Sequence, residues 1–492
     1  MDRRWTRIRV QTPEAVMGVG DASELLRQAQ QLKAAGLLEE AISCYQRYVS
    51  AAPFSAVAEH NLAAALGDAG RWTEAEEHIS RAFLKGGDAP ESWLVCARCL
   101  QMLARLDEAE AAFLSAIARR PTYYDALREL AQLRWMRTAD VKRALACVDS
   151  ALLASPGEVS LQVLKAQVLR ETGQPALALE ALAPAMAGAS PAVDILVLAA
   201  QSARQAGRTN VALSLAERAV AAAPGNLLSQ ITLAEACLAT GAVERAEMLA
   251  GDVRQRAPDN QHAIALQATA WRILGDDRYR SLFDYGALVN VESLRCPPGW
   301  SDLHAYLADV ATGLKAVHQF RTHPFNQSVR HGSQAPDIHE STHPALRALP
   351  SALEQPIADY LASLGEGDDP VRARNTGDYA FNGMWSVQLK AGGHLVNHVH
   401  PQGWISSACY IETVDGEGMA GWLQFGQPGV ATIPPLEPEH FVKPEPGRVV
   451  LFPSYMWHGT RPFSGEATRL SFAFDLKPKL LRPNVNAGSQ RP

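Results

Sequence analysis

The sequence contains little cysteine and no long apolar run, which excludes several protein classes. Its 492 residues include only seven cysteines, an odd number spread widely along the chain. This usage argues against a disulfide framework and predicts a reducing compartment, the cytoplasm. No apolar stretch approaches the roughly 20 residues that a membrane-spanning helix needs, so we expect no membrane association. Residues 1–20 lack the apolar core of a secretory signal and are predicted to form a flexible tail, and residues 481–492 a C-terminal tail.

An excess of positive charge is also missing. The formal net charge is −6, which predicts no binding to nucleic acid or to an anionic membrane surface. No glycine-rich phosphate-binding motif stands where a strand would feed a helix, so nucleotide binding finds no support. The composition, with 47% hydrophobic and 20% charged residues, is typical of a globular protein. The length predicts two domains, or a repeat array joined to a domain.

An alanine-rich repeat covers the first half of the chain. A glycine or alanine is followed five residues later by an alanine, and this pair recurs every 34 or 35 residues, at Gly36, Gly70, Ala104, Ala139, Gly173, Gly207 and Gly241. Such a period predicts pairs of helices that cross closely at the small residues, with a tight turn between them. One pair cannot bury its apolar face alone, so neighbouring pairs are expected to stack into an all-α solenoid.

The repeat resembles the tetratricopeptide repeat, as in AGLLEEAISCYQRYVSAAP and AGRWTEAEEHISRAF. We expect about seven repeats over residues 21–290. The resemblance implies that the array binds a protein or peptide partner, with packing against the rest of the chain or dimer formation as the alternatives. Cys96 and Cys99 form a CxxC pair inside the array. Because no second pair is present, we interpret them as buried apolar side chains rather than as a zinc site.

The sequence changes character near residue 291, beyond which 11 of the 14 histidines lie. The segment SDLHAYLADVATGLKAVH predicts an amphipathic helix, and HPALRALPSALEQPIADYLASL predicts one or two more. Beyond Asn375, short alternating segments such as MWSVQLK, WISSACYIE and RLSFAFDL are separated by glycine- and proline-rich turns. Several short strands of this kind predict a sandwich or barrel, and we assign this second domain to residues 291–480.

Three histidines and an arginine in the strand region indicate a metal site. His398 and His400 are two residues apart, so their side chains share a face if the backbone is extended, and His458 follows 58 residues after His400. Arg469 opens the last predicted strand and shares a face with Ser471. Two close ligands and one distant ligand can hold Fe(II) and leave its other side open for 2-oxoglutarate and dioxygen. An arginine can pair with the distal carboxylate of 2-oxoglutarate, and a nearby hydroxyl can add a bond.

The region from about 290 to 480 resembles the bacterial 2-oxoglutarate/Fe(II)-dependent oxygenases that are often appended to tetratricopeptide repeats. The resemblance lies in NQSVRHGSQ, WSVQLKAGGHLVNHVHPQGWISSACYIE, AGWLQFGQPG, PEPGRVVLFPSYMWHGTRPF and RLSFAFD. It implies a double-stranded β-helix (jelly-roll) domain with flanking helices, and oxidation of an organic substrate coupled to conversion of 2-oxoglutarate to succinate and carbon dioxide. It also implies that His398 and His458 are metal ligands, that Arg469 binds 2-oxoglutarate, and that Tyr410 bonds the same carboxylate. No catalytic residue beyond the metal ligands is implied.

The sequence departs from the wider family pattern at His400, where an acidic ligand is expected. Three neutral imidazoles leave a bound metal with one more positive charge, so Zn(II), Ni(II) and Mn(II) compete more strongly with Fe(II).

Other polar and aromatic residues near the histidines are interpreted as structural. His394 is interpreted as a supporting histidine, and Glu412 and Asp415 as surface residues at the end of a strand. The segment with Gln327, Ser328, Arg330 and Gln334 is expected to be a polar loop that closes the site or contacts substrate, with a capped surface turn as the alternative. Core or rim positions are predicted for Trp404, Trp422 and Trp457, and a buried one for Cys409.

The leading hypothesis is therefore an Fe(II)- and 2-oxoglutarate-dependent hydroxylase whose repeat array recruits a protein or peptide substrate. Two alternatives stay open. One is a non-catalytic repeat scaffold with a structural metal, and the other is a cupin-like metalloenzyme that does not use 2-oxoglutarate. Arg469 argues against the cupin-like enzyme, because it has no evident function in a three-histidine site without that co-substrate, whereas His400 keeps the scaffold alternative open.

Overall fold

The computed structural model describes residues 19–479, with the exception of residues 189 and 415. The predicted C-terminal tail, 481–492, lies outside the described residues, and so do residues 1–18 of the predicted N-terminal tail. The described chain divides into two compact units between Leu133 and Arg134. No helix of the described range is long and apolar enough to cross a membrane.

The first unit is built from successive helix pairs. Its helices are α1 (Val19–Ala34), α2 (Leu38–Ala51), α3 (Ala56–Asp68), α4 (Trp72–Leu84), α5 (Pro90–Met102) and α6 (Leu106–Arg119), and α7 (Tyr124–Thr138) runs across the division. The repeated small residues Ala41, Ala75 and Ala109 are fully buried, because the two helices of a pair approach each other there. The 34-residue period of the sequence thus corresponds to one helix pair per repeat.

The turn inside each helix pair has a left-handed residue. Gly36 and Gly70 have φ values of +78° and +74°, and Ala104 and Ala139 occupy the equivalent turns with φ values of +60° and +56°. A side chain in this conformation costs about 1–2 kcal/mol. The two registers that lack glycine therefore keep the same turn, and the small alanine side chain tolerates it.

The second unit continues the repeat and confirms the predicted all-α solenoid. Its repeat helices are α8 (Val141–Ala154), α9 (Val159–Glu171), α10 (Pro175–Ala181), α11 (Ala183–Met186), α12 (Val193–Gln205), α13 (Thr209–Ala222), α14 (Leu227–Thr240), α15 (Val243–Arg256) and α16 (Gln261–Leu274). The α10–α11 break occurs at Leu182, directly before Ala183 and Pro184. Proline lacks the backbone N–H that would continue the helix, so a new helix begins there. Two short helices follow, α17 (Arg278–Leu282) and α18 (Tyr285–Leu288).

An antiparallel strand region with three helices completes the second unit. The helices are α19 (Leu303–Val317), α20 (Pro344–Arg347) and α21 (Leu349–Leu364). The strands are β1 (Asn290–Ser293), β2 (Val329–Ala335), β3 (Tyr379–Leu395), β4 (Ile405–Glu412), β5 (Leu423–Phe425), β6 (His440–Val442), β7 (Arg448–Pro453), β8 (His458–Thr460) and β9 (Arg469–Pro478). They form a six-stranded sheet in the order β1-β7-β4-β9-β3-β2 and a three-stranded sheet in the order β6-β5-β8.

The two sheets pack together through aromatic side chains. The ring of Phe425 in the small sheet lies edge-on to Phe452 in the large sheet, with centroids 5.0 Å apart. This arrangement is consistent with the predicted sandwich, whereas the strict connectivity of a double-stranded β-helix stays a prediction.

One sequence expectation was wrong in this region. The segment NQSVRHGSQ was expected to be a polar loop, but most of it forms β2, which pairs with β3. A side chain at Gly332 would lie 2.4 Å from the carbonyl oxygen of Gln388, so the glycine is needed for this close backbone approach. Backbone pairing rather than apolar alternation holds β2, which is why its polar sequence gave no strand signal.

Candidate metal centre

Backbone pairing between two short segments brings the three histidines together. His398 follows β3 and His458 begins β8, and their backbones form an isolated antiparallel bridge. The N–H of His398 donates to the carbonyl of His458 at 2.9 Å, and the reverse bond measures 3.1 Å. The N–H of His400 donates to the carbonyl of Ser454 at 3.0 Å. One ring nitrogen of each histidine lies within 4.8 Å of the other two, so the group can hold a metal ion.

Hydrogen bonds on the outer side of each ring aim the inner nitrogens at one another. Nδ1 of His398 lies 2.8 Å from the carbonyl oxygen of Val396, and Nδ1 of His458 lies 2.9 Å from that of Met456. A carbonyl only accepts, so each Nδ1 carries the proton and each Nε2 keeps its lone pair. Nε2 of His398 and Nε2 of His400 are 3.1 Å apart. Two neutral imidazoles that direct lone pairs at each other repel, so this arrangement fits a cation between them.

Burial keeps the imidazoles of His398 and His458 neutral. Burial, with a further contribution from His400, lowers the pKa of His398 to about 3. Burial also holds the pKa of His458 well below its usual value. Neutral imidazole is the form that binds Fe(II), Ni(II), Cu(II) and Zn(II), so the donor chemistry fits a divalent transition metal.

Arg469 is a buried cation without a carboxylate partner. It begins β9 and is 1% exposed, and its Nη1 donates to the carbonyl oxygen of Gly421 at 2.8 Å. Its Nε has no hydrogen-bond partner within the described residues, and no ion pair joins it to any of their carboxylates. Burial lowers the pKa of Arg469, yet a guanidinium stays charged in proteins. A buried charge of this kind is expected to bind an anion.

Other polar groups close to Arg469 are also unsatisfied. Tyr410 on β4 pairs with Ser471 on β9, and the guanidinium carbon of Arg469 lies 4.8 Å from the centre of the Tyr410 ring. Burial raises the pKa of Tyr410, and the neighbouring Arg469 lowers it. In the described part of the chain, the Thr460 hydroxyl has no hydrogen-bond partner, and the Tyr410 hydroxyl has none apart from the adjacent Arg469 guanidinium. Ser471 makes only a long bond of 3.4 Å to the carbonyl of Val387. Buried polar groups in proteins are nearly always paired. Of these residues, Thr460 and Ser471 line the same cavity as Arg469, whereas Tyr410 does not.

The histidines and Arg469 line one cavity of about 370 Å³. Its ionisable side chains are those of His398, His400, His458, Arg469 and Asp475. The rest of the lining is neutral, and includes Asn326, Gln327, Ser328, Gln334, Trp385, Val387, Leu395, Val399 and Gln402. The cavity therefore combines these five ionisable side chains with an otherwise uncharged lining.

Several sequence candidates lie elsewhere. Nδ1 of His394 approaches the carbonyl of Gly392 at 3.2 Å, and this histidine does not line the cavity. Glu412 is bonded to Lys315 at 2.5 Å. Arg330 donates to the carbonyls of Gln327 and Val329 and lines a different cavity from Gln327, Ser328 and Gln334. Trp404 is fully buried and donates to the carbonyl of Val371, whereas Asp415 lies outside the described residues.

Comparison with known proteins now bears on this site. Residues 383–475, which include the three histidines and Arg469, match the family described as "Putative 2OG-Fe(II) oxygenase". Residues 60–124 and 203–270 match two tetratricopeptide repeat families. The chain thus combines stretches that match tetratricopeptide repeats with a C-terminal region that matches this oxygenase family, and we call that region, from β1 onward, the oxygenase-family domain. No curated protein is significantly similar to the chain.

The similar solved structures are repeat proteins. One is a tetratricopeptide repeat protein from Parabacteroides merdae, with 15% identity over 50% of this chain and 98% of that one, at a TM-score of 0.37. Another is the C-terminal part of a repeat-containing protein from Cytophaga hutchinsonii, with 15% identity over 49% and 98%, at a TM-score of 0.38. At such distances these similarities indicate no function.

The last repeats pack directly on the oxygenase-family domain. Trp457, which precedes His458, donates its indole N–H to the hydroxyl of Thr269 in α16 at 2.9 Å. The ring of His262 lies edge-on to Trp457, with centroids 5.8 Å apart. Arg272, also in α16, donates to the carbonyls of Gly426 and Glu437 at 2.9 Å each. The packing alternative considered for the array is thus observed for α16.

Three residues of the oxygenase-family domain were missed by sequence reasoning. Trp385 lines the cavity, with its ring centroid 5.6 Å from that of His400. Thr460 follows His458 by two residues and carries an unpartnered hydroxyl. Asp475 lies behind His400 at the far end of β9. The alternation that puts Arg469 and Ser471 on one face also includes Asp475, so the signal for this residue was present in the sequence.

Proposed function

We propose that this protein is an Fe(II)- and 2-oxoglutarate-dependent hydroxylase. His398, His400 and His458 would hold the metal, and Arg469, with Ser471 and Tyr410, would bind the distal carboxylate of 2-oxoglutarate. One observation carries the proposal. A buried arginine without an ion-pair partner among the described residues lines the same cavity as three converging neutral imidazoles. The oxygenase family match over residues 383–475 supports it.

Different side chains are proposed to bind the metal and the co-substrate. The imidazoles offer three neutral donors whose orientation is fixed by the hydrogen bonds on their outer nitrogens. Arg469 offers a guanidinium, and Tyr410 a hydroxyl, to a carboxylate. When bound, Fe(II) and 2-oxoglutarate would supply hydroxylation of a C–H bond with dioxygen as the oxidant, one oxygen atom entering the product and the other entering succinate, with release of carbon dioxide. This hydroxylation needs no general base, so none of the uncharged residues that line the cavity is assigned that role.

The lining of the cavity bears on the charge of the substrate group that enters it. Apart from the groups assigned to metal and co-substrate, and Asp475 behind His400, its lining carries no ionisable side chain. An ionised group entering it would lose hydration without gaining a partner. We therefore propose that the part of the substrate that is oxidised is uncharged.

The repeats are proposed to recruit a protein or peptide substrate, because tetratricopeptide arrays commonly bind such partners. Since α16 is bonded to the oxygenase-family domain, we assign recruitment to the repeats of the first unit, α1–α6. A cytoplasmic location stays part of the proposal.

Anaerobic titration tests the cofactor assignment. Metal-free protein is titrated with Fe(II) and then with 2-oxoglutarate, and the visible charge-transfer band of the chelated co-substrate is recorded. The band should be absent in His398→Ala and His458→Ala and weak in Arg469→Ala. His394→Ala, which removes a histidine outside the cavity, should behave like the native protein. Tight metal binding without the band would contradict the proposal and favour a structural metal or a cupin-like enzyme.

A further inference from the structure

A buried carboxylate stands behind one of the three histidines. Asp475 is 7% exposed, and its Oδ1 lies 2.7 Å from Nδ1 of His400. The hydroxyl of Ser406 donates to the same oxygen at 2.7 Å. Ser406 is in turn 2.8 Å from the hydroxyl of Ser454. The carboxylate is therefore held in place from two sides, and one of its partners is an imidazole that faces the metal centre.

The three histidines differ in what supports them. His398 and His458 donate to neutral backbone carbonyls, whereas His400 faces a carboxylate. Many non-haem Fe(II) oxygenase sites combine two histidines with one carboxylate ligand, whereas His400 offers a third imidazole here. His400 itself offers the metal no negative charge. The Asp475 carboxylate lies directly behind it, hydrogen-bonded to its Nδ1.

We propose that Asp475 is a positioning residue that supplies this charge to the metal through His400. The inference rests on the proposed function. The carboxylate accepts a hydrogen bond from Nδ1–H and thereby fixes the tautomer in which Nε2 keeps its lone pair, and it makes the imidazole a stronger metal ligand. With Asp475 ionised, a divalent ion bound by three neutral imidazoles has a local net charge of +1. A site with two histidines and a carboxylate has the same net charge.

Metal affinity, rather than turnover, tests this role. Co(II), read by its visible absorption, and Fe(II), read anaerobically against a competing chelator, are titrated into the full-length metal-free protein. Asp475→Asn keeps the shape of the side chain and removes its charge, and should weaken binding about 10–100-fold. Glu412→Gln is the matched control, because it removes a β4 carboxylate that is bonded to Lys315 outside the cavity. Affinity of Asp475→Asn equal to that of the control would overturn the proposal.

A second pair of variants separates an effect through His400 from an effect on folding. In His400→Glu the acidic side chain would bind the metal itself, and Asp475 no longer accepts a hydrogen bond from an imidazole at this position. Adding Asp475→Asn to His400→Glu should therefore weaken metal binding less than about tenfold, whereas Asp475→Asn alone weakens it about 10–100-fold. An equal loss in both backgrounds would show that Asp475 does not act through His400 and would contradict the proposal, even if Asp475→Asn destabilises the fold.

Measurements on the native protein distinguish failure of the proposed function from failure of the role assigned to Asp475. Absence of both metal binding and the 2-oxoglutarate band in the native protein would contradict the proposed function. A normal band in the native protein, together with native metal affinity in Asp475→Asn, would contradict only the role of Asp475.

Discussion

The indole N–H of Trp457 donates to the hydroxyl of Thr269 at 2.9 Å, one residue before the proposed ligand His458. Thr269 also donates to the carbonyl of Ala265 in its own helix, so its hydroxyl joins α16 to the segment that carries the histidine. A change in the last repeat is therefore expected to reach the metal centre through two adjacent residues.

Thr269→Val should destabilise the protein by about 1–3 kcal/mol, because it leaves the buried indole N–H unpaired. It should also weaken metal binding, because Trp457 loses the bond that fixes its position. Denaturant unfolding and Co(II) titration measure the two effects. Thr240→Val is the control, since Thr240 bonds only to carbonyls of its own helix in the described structure. Equal behaviour of the two variants would contradict the coupling.

Tyr410→Phe should have different effects with and without 2-oxoglutarate. The Tyr410 hydroxyl is buried, and apart from Arg469 the described residues give it no partner, so its removal should cost the metal-loaded protein less than about 1 kcal/mol. If the hydroxyl bonds the co-substrate, the same variant should weaken 2-oxoglutarate binding about tenfold, as expected from the loss of about 1.5 kcal/mol. Thermal melting with and without 2-oxoglutarate reports both. A clear loss of stability without 2-oxoglutarate would show that the hydroxyl has a structural partner.

Acid should destabilise the second unit through Glu235. Burial raises the pKa of this carboxyl, but Arg204 and His262 outweigh burial and lower it to about 2. Because the pKa is lowered in the folded state, the ionised carboxylate contributes its full stabilisation above pH 4.5, the unfolded pKa. This stabilisation is lost as the pH falls from 4.5 toward 2. The contribution is on the order of a few kcal/mol. Denaturant unfolding between pH 6 and pH 3 should show a shallower pH dependence for Glu235→Gln than for the native protein, and no change for the exposed Glu244→Gln. The same slope in all three proteins would refute this assignment.

Thiol reactivity should separate Cys296 from the CxxC pair. Cys296 is exposed, whereas burial raises the pKa of Cys96 to about 11 and that of Cys99 to about 12. Zinc binding and alkylation both require thiolates, so Cys96 and Cys99 should do neither in the folded protein. Ellman's reagent should show one fast thiol that disappears in Cys296→Ser. Zinc retained through Cys96 and Cys99 would contradict their assignment as apolar packing residues.

Sequence reasoning worked best where structure is local. The repeat period predicts the helix pairs, because each turn depends on a few neighbouring residues such as Gly70 and Ala75. The sequence also predicted that the three histidines and Arg469 lie together, because ligand spacing and strand alternation are visible in it, and these residues line one cavity. It failed at β2, whose polar residues are held by backbone pairing with β3. The pairing of Trp457 with Thr269 joins residues 188 positions apart, and no local pattern encodes it. The predicted boundary between residues 290 and 291, like the site assignments, stays a prediction.

The short strand β1 has a practical consequence for dissecting this protein. It begins at Asn290, directly after the last short helices, and pairs with β7 along one edge of the six-stranded sheet. A protein fragment that starts at residue 291 loses the first residue of this strand, and one that starts after residue 293 exposes the unpaired edge of β7. Open strand edges template aggregation. An isolated oxygenase-family domain is therefore expected to remain monodisperse only if it keeps β1 and the helix before it, Tyr285–Leu288.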